Sequence, residues 1–385
     1  MKITVLGRGN AGCLTALHFG YYTRNRKDIS IELIYDPNIP PEKVGQASIL
    51  GVPQLLWESL GVNWYDNPID ATPKFGVLYE NWGKKNDKIF ASPFPLSSVA
   101  LHYCPRKLQE TILKSGYFDV EEGHIDNYDE LDSDYIFDCR GKPDVNWNDY
   151  NKLISPVNSV ILGNGKSKEC DVNWTRAVAT PDGWTFVIPN TTKTTSYGYL
   201  YNDEITPLEE ASANFNKLFD FDNLKISTGD NFKFQQYVSK TPIDGRVILG
   251  GNRLFFLEPL EATGIATYLW WARQVWDCII DGRTSTNKIT SELHTYTNQL
   301  QNFLLWHYQY GSKYDTPFWE VAGKLKFEDP IFDRNLEQAK RNSMVDLRSP
   351  EADRKYDLYA QWWPWNFKYW HEAMTKDINS SIREV

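Results

Sequence analysis

The segment KITVLGRGNAG, Lys2 to Gly12, constrains this chain more than any other stretch. Residues 2–6 form a short β-rich run, Gly7, Gly9 and Gly12 make G-x-G-x-x-G, and CLTALHFGYY then takes up a helical period. A second strand pattern, ISIELIYD, follows at 29–36 and completes a β-α-β unit. Glycines at those places permit a tight turn and the close approach of a pyrophosphate, whose charge meets the N–H groups at the helix start. A ligand-free tight turn accounts for the glycines taken alone, but the strand before them and the helix after them favour a dinucleotide. The acidic partner for a ribose hydroxyl belongs at the end of the second strand, where Ile34-Tyr35-Asp36 offers Asp36, with Tyr35 at the alternative position.

Beyond this unit, strand-like patterns recur at 134–141, 184–190, 196–202, 231–238 and 246–252, and helical patterns at about 105–115, 207–218, 264–282 and 288–307. Strands and helices are interleaved, so the fold class is α/β, with no linker and no internal repeat. Two segments favour a flavin over a nicotinamide. DYIFDCRGK has the form of a late strand ending at a glycine near the adenine half, and RVILGGN, with Gly251, precedes an apolar helix whose N-terminus would face the rest of the cofactor. The division predicted is an α/β body over residues 1–310, carrying an interleaved β-sheet substrate region, and a helical, aromatic-rich cap over 311–385.

Charge and cysteine usage exclude several classes. The net charge is −9 and the basic residues are dispersed, so nucleic acid is not an expected partner. The longest apolar run, Gly264 to Trp271, is far short of a bilayer span, and the N-terminus lacks a signal-peptide pattern, so no membrane partner and a cytoplasmic location are expected. Five scattered cysteines without a C-x-x-C pair fit reduced thiols, and no metal site is expected. Aromatic residues make up 15% of the chain, which suits a planar ligand, although core packing explains any single ring equally well.

Several fragments, in order, carry a family resemblance: GRGNAG, PNIPPEKVGQAS (37–48), ATPKFGVLYENWG (71–83), GWTFVIPN (183–190), YGYLY (197–201), FLEPLEATGI (256–265) and YDTPFW (314–319). Together they resemble the flavin-dependent halogenases of the tryptophan-halogenase type, over most of residues 1–322. The resemblance implies an FAD-binding Rossmann-like domain of the glutathione-reductase and monooxygenase type, a mixed β-sheet substrate region and a smaller helical C-terminal cap. It implies FADH2 supplied by a separate flavin reductase, a halide such as chloride, and a small aromatic substrate. The short chain and its Asn-, Lys- and Tyr-rich composition fit a compact, viral-type member, and the oligomeric state, homo-oligomer included, stays open.

By this resemblance Lys74 in ATPKFG is the catalytic lysine, reached by hypohalous acid formed from FADH2, oxygen and halide; taken alone it would read as a surface cation at a strand start. Glu261 is the second catalytic residue, by charge balance or as the base for the ring proton, and a plain helix-dipole partner is the competing account. Thr263 and Gly264 would hold halide through backbone N–H groups, with Thr263 as an ordinary N-cap the alternative. Glu258 is read as structural.

The sequence also departs from the family pattern. W-x-W-x-I-P is Trp184-Thr185-Phe186-Val187-Ile188-Pro189 here, which leaves Trp184 and Phe186 as candidate walls between flavin and substrate. G-E-A-T is Gly45-Gln46-Ala47-Ser48, with Gly45 and Ala47 as cofactor candidates and one charge fewer. His102 and Tyr103 are candidate substrate contacts, and Trp362, Trp363 and Trp365 either wall the pocket or pack the cap. Two rivals remain: a flavin monooxygenase hydroxylating an aromatic ring, and a non-catalytic FAD-binding protein.

Overall fold

The computed structural model describes residues 1–40, 46–63, 66–84, 89–94, 98–142, 146–166, 173–189, 194–219, 231–349, 351 and 355–375. The Gly45 and Cys170 assignments lie outside these residues. The N-terminal β-α-β unit forms as the pattern predicts: strand Lys2–Leu6, helix Asn10–Thr23, strand Ser30–Tyr35, the two strands parallel. The helix is buried over almost its whole length because it lies between the sheet and the helices Pro105–Leu113 and Thr263–Ile279. Ile3, Val5, Leu14, Leu17 and Leu33 are at most 1% exposed, and each such side chain contributes about 1.5–3 kcal/mol relative to exposure.

Two sheets dominate. The first has six strands in the spatial order 243–244, 247–249, 135–138, 2–6, 30–35, 119–122, all parallel except the first pair. The second has seven, in the order 231–233, 159–166, 194–201, 183–189, 174–180, 76–80, 89–93, antiparallel except where 174–180 runs parallel to 76–80. Strand Gly183–Pro189 is buried on both faces. Trp184, Phe186 and Ile188 face a central cavity, while Val187 joins Tyr197, Tyr199 and the helix Leu208–Phe219 on the other side. Two three-stranded sheets, 46–47 with 100–103 and 72–74, and 150–152 with 237–239 and 255–256, close the body.

Some expectations are corrected. The segment 231–238 is not one strand: Asn231–Lys233 belongs to the seven-stranded sheet and Tyr237–Ser239 to a small one, with the chain crossing between them at the buried Phe234 and Gln236. RVILGGN leads into a short 3-10 turn at Gly251–Arg253, and the apolar helix begins only at Thr263. The aromatic tail is helical, Pro364–Thr375, and its Phe367 and Trp370 belong to the same continuous core as Ile3 and Val5. No helix among the described residues is long and apolar enough to cross a membrane.

Candidate active site

A cavity of about 970 Å³ opens beyond the carboxyl ends of the parallel strands, where Leu6 and Gly7, Tyr35 and Asp36, and Cys139 and Arg140 line it. Gly7 has φ +98°, and a Cβ on Gly12 would come within 1.9 Å of the Gly7 carbonyl oxygen, so both glycines are fixed by the turn. Gly9 caps the helix without a side chain, which leaves the first N–H groups to a ligand. Arg8 lies over the Tyr35 ring, and its Nε is buried without a partner among the described residues. These features fit a dinucleotide. Asp36 lines the cavity, accepting from the Asn38 N–H at 2.8 Å, which holds its carboxyl below the usual range together with His124 at 3.0 Å. The alternative, Tyr35, is occupied: its hydroxyl donates to Glu122 at 2.6 Å. Ala47, Gly251 and Gly264 also line the cavity.

Lys74 and Glu261 line the same cavity. Lys74 ends the strand Thr72–Lys74, is 2% exposed, and donates to the Ser48 carbonyl at 3.3 Å. Burial lowers its pKa to about 8, with the Glu261 charge pulling the other way, so ammonium and amine coexist near neutral pH. Glu261 sits in a left-handed backbone, φ 65°, and Ala262 follows at φ 56°. Two such residues in succession cost on the order of 1–3 kcal/mol each, a strain that a fold retains at functional turns. The turn places the Glu261 carboxylate against the Tyr79 hydroxyl, His307 Nε2 at 3.6 Å and the Trp362 indole N–H at 3.4 Å. Burial pushes this carboxyl up, but His307, Tyr79 and the Lys74 charge outweigh it, so it stays ionised.

Three residues earlier, Glu258 meets a different fate. It is 1% exposed and accepts from Ser155 Oγ at 2.7 Å, Trp184 Nε1 at 2.7 Å and Tyr308 Oη at 2.6 Å. All three donors are neutral, so burial raises its pKa. Its role is structural, as the sequence suggests, and it fixes the indole that lines the cavity. Phe186 lies beside Trp184, and its ring fills the space that a side chain on the facing Gly198 would take. Thr263 does not line the cavity. It starts the helix Thr263–Ile279 and its hydroxyl donates to the Glu258 carbonyl at 3.0 Å, so it is not the N-cap, which is Ala262.

His102 and Tyr103 lie behind the cavity wall. Neither lines it, and the His102 ring is held by Thr72 at 3.2 Å and Thr175 at 2.9 Å. Trp362 stacks on Phe303 at 3.9 Å and reaches Glu261, whereas Trp363 and Trp365 pack in a small cluster with Leu347 and Tyr356. Sequence reasoning missed Tyr79, His307 and Gln361, whose side-chain amide donates to the Glu261 carbonyl at 2.9 Å. Tyr79 stands inside a fragment that carried the resemblance, and that was the available signal.

The comparisons agree with the geometry. A family profile described as tryptophan halogenase matches residues 2–116 and 120–351. The tryptophan 6-halogenase ThaL of Streptomyces albogriseolus is 25% identical over 439 aligned positions, spanning 86% of this chain and 80% of that protein. Among solved structures, the tryptophan 6-halogenase SttH of Streptomyces toxytricini superposes with a TM-score of 0.77 at 18% identity, covering 98% of this chain and 91% of that one. MibH, a tryptophan 5-halogenase, gives 0.77 at 17% identity over 97% and 85% of the two chains. With the profile matching most of its length, this chain belongs to the tryptophan halogenase family.

Proposed function

We propose that this chain is a flavin-dependent halogenase acting on a small, electron-rich aromatic substrate, with FADH2 delivered by a separate reductase. One observation carries the proposal: a single cavity is lined both by the glycine loop at Gly7 and Gly9 and by the buried pair Lys74 and Glu261. Direct hydroxylation at a flavin requires no buried lysine facing a buried carboxylate. When bound, reduced FAD supplies, with oxygen and halide, the hypohalous acid. Residues Gly7, Gly9 and Gly12 let the pyrophosphate approach the first turn of Asn10–Thr23, and Asp36 accepts from ribose hydroxyls. Gly251 and Ala47 border the remainder of the cofactor.

Halide is held at the first turn of Thr263–Ile279, where a helix start favours an anion, by the N–H of Gly264, which lines the cavity; Thr263 stays out of the lining and is dropped from this role. Trp184 and Phe186 keep the substrate off the flavin. Lys74, near balance between its two forms, either donates a hydrogen bond that polarises hypohalous acid or is itself halogenated as the neutral amine. Glu261, kept ionised, accepts the proton that leaves the ring.

The test supplies FADH2, oxygen and bromide with a phenol, and reads product mass. A mass gain of one bromine in place of one hydrogen is expected. Gain of oxygen without halogen would replace the proposal with a hydroxylase, and no product at all would favour a binding protein.

A further inference from the structure

The helix Thr286–Gln309 sends two consecutive side chains to the two carboxylates of the EPLE turn: Tyr308 to Glu258 and His307 to Glu261. His307 is completely buried, and its Nδ1 lies 2.7 Å from the Phe303 carbonyl oxygen. A carbonyl only accepts, so Nδ1 carries a proton and Nε2 is the atom free to gain or lose one. Nε2 is 3.6 Å from Glu261 Oε1 and 3.4 Å from the Tyr79 hydroxyl, which donates to that same carboxylate oxygen.

Among the described residues, the rings packed on His307 offer a proton no base. Trp370 lies on the His307 ring at 3.8 Å and Phe303 at 5.0 Å, neither of them titratable. Glu261 reaches the ring from the turn and Tyr79 from the strand Gly76–Glu80, while Lys74 acts on Glu261 from the cavity side. The neighbouring Tyr308 is committed to Glu258. A carboxylate that takes up a proton beside the reacting ring can share it with an adjacent base until product leaves, and the imidazole is such a base.

We propose that His307 is a positioning residue that receives, directly or through the Tyr79 hydroxyl, the proton Glu261 removes from the substrate ring. The origin of that proton rests on the halogenase reading above; the pairing of His307 with Glu261 does not. The ring C–H bond breaks, its electron pair restores the aromatic system, and an O–H bond forms on Glu261. That O–H then breaks as an N–H forms on Nε2, leaving an imidazolium beside a carboxylate, and once product has left, the proton returns through Glu261 to the cavity that this carboxylate lines. By way of Tyr79, the hydroxyl gives its proton to Nε2 as it takes the one from Glu261. No electron is gained or lost.

Two measurements test this. The first follows the His307 ring nitrogens of the full chain by NMR, without flavin or turnover. In the wild type Nδ1 carries a proton held by the Phe303 carbonyl; in Glu261→Gln the Nε2 resonance moves because its carboxylate neighbour is gone, while Nδ1 keeps its proton. An unmoved Nε2 resonance overturns the pairing. The second measures bromination of a ring-deuterated phenol by His307→Phe, which keeps a ring against Trp370, and by His307→Gln, which can still donate to the Phe303 carbonyl. Both should slow product formation roughly 10–100-fold and lower the deuterium isotope effect, because the step after C–H cleavage becomes limiting. Rates and isotope effects equal to wild type would overturn the relay. Absence of brominated product from the wild type would instead sink the halogenase reading, and the ring-nitrogen spectra would still decide the pairing.

Discussion

Glu258 and Glu261 sit on one turn, the first buried and the second nearly so, and are pushed in opposite directions: burial raises Glu258, while His307, Tyr79 and Lys74 hold Glu261 down. Sequence distance does not explain this, and burial alone would raise both. The difference lies in what surrounds each group. Glu258 meets three neutral donors, Ser155, Trp184 and Tyr308, whereas Glu261 meets an imidazole and a lysine across a cavity. Two carboxyls driven apart by environment are the usual signature of divided labour in a site. One side of the turn builds the wall, and the proposed function gives the chemistry to the other.

That contrast can be broken experimentally. Glu261→Gln removes the base while keeping shape, and halogenation should fall by about 10²–10⁴-fold. Glu258→Gln should leave the rate within several-fold, measured as product per enzyme at saturating substrate. Stability should show the reverse pattern: Glu258→Ala strands three buried donors and should cost roughly 3 kcal/mol by denaturant unfolding, with Glu258→Gln costing less.

Lys74 sharpens the comparison through pH. Its pKa is lowered from 10.5 to about 8 in the folded chain, so between those values the unfolded chain binds the additional proton. Stability should therefore rise with pH from about 8 to about 10.5, and the burial cost is fully present below that window. Lys74→Met should abolish this rise and be more stable near neutral pH by up to roughly 3 kcal/mol, a site residue whose loss stabilises. The smallest effect belongs to Thr263→Val, which loses one hydrogen bond to the Glu258 carbonyl and should cost about 1 kcal/mol in unfolding free energy.

Local pattern made the N-terminal β-α-β unit and the longer helices legible. Helix Asn10–Thr23 and its flanking strands follow from apolar periodicity and from glycines whose turn admits nothing larger. The helices at 105–113, 208–219, 263–279 and 286–309 fall within a few residues of their sequence patterns. The strands Ser159–Lys166 and Trp174–Thr180 did not stand out, and the helix Gly51–Leu60 carries Pro53 within its first turn, which hid it. At the site, Lys74 and Glu261 were legible only through the fragments around them. Tyr79 and His307 were not, because their meaning is a contact: Tyr79 lies 182 positions from Glu261 and 228 from His307 in sequence. His102 was open on sequence between a substrate contact and a satisfied structural histidine, and the two threonines that hold its ring favour the second.

The most direct measurement compares wild type and Lys74→Ala under FADH2, oxygen and bromide, reading flavin oxidation and brominated phenol in the same reaction. Wild type should form the brominated product, while Lys74→Ala should oxidise FADH2 at a comparable rate and brominate at least about 10²-fold more slowly. Equal bromination by the two proteins would contradict a role for the buried lysine and leave the Lys74–Glu261 cavity without its proposed chemistry.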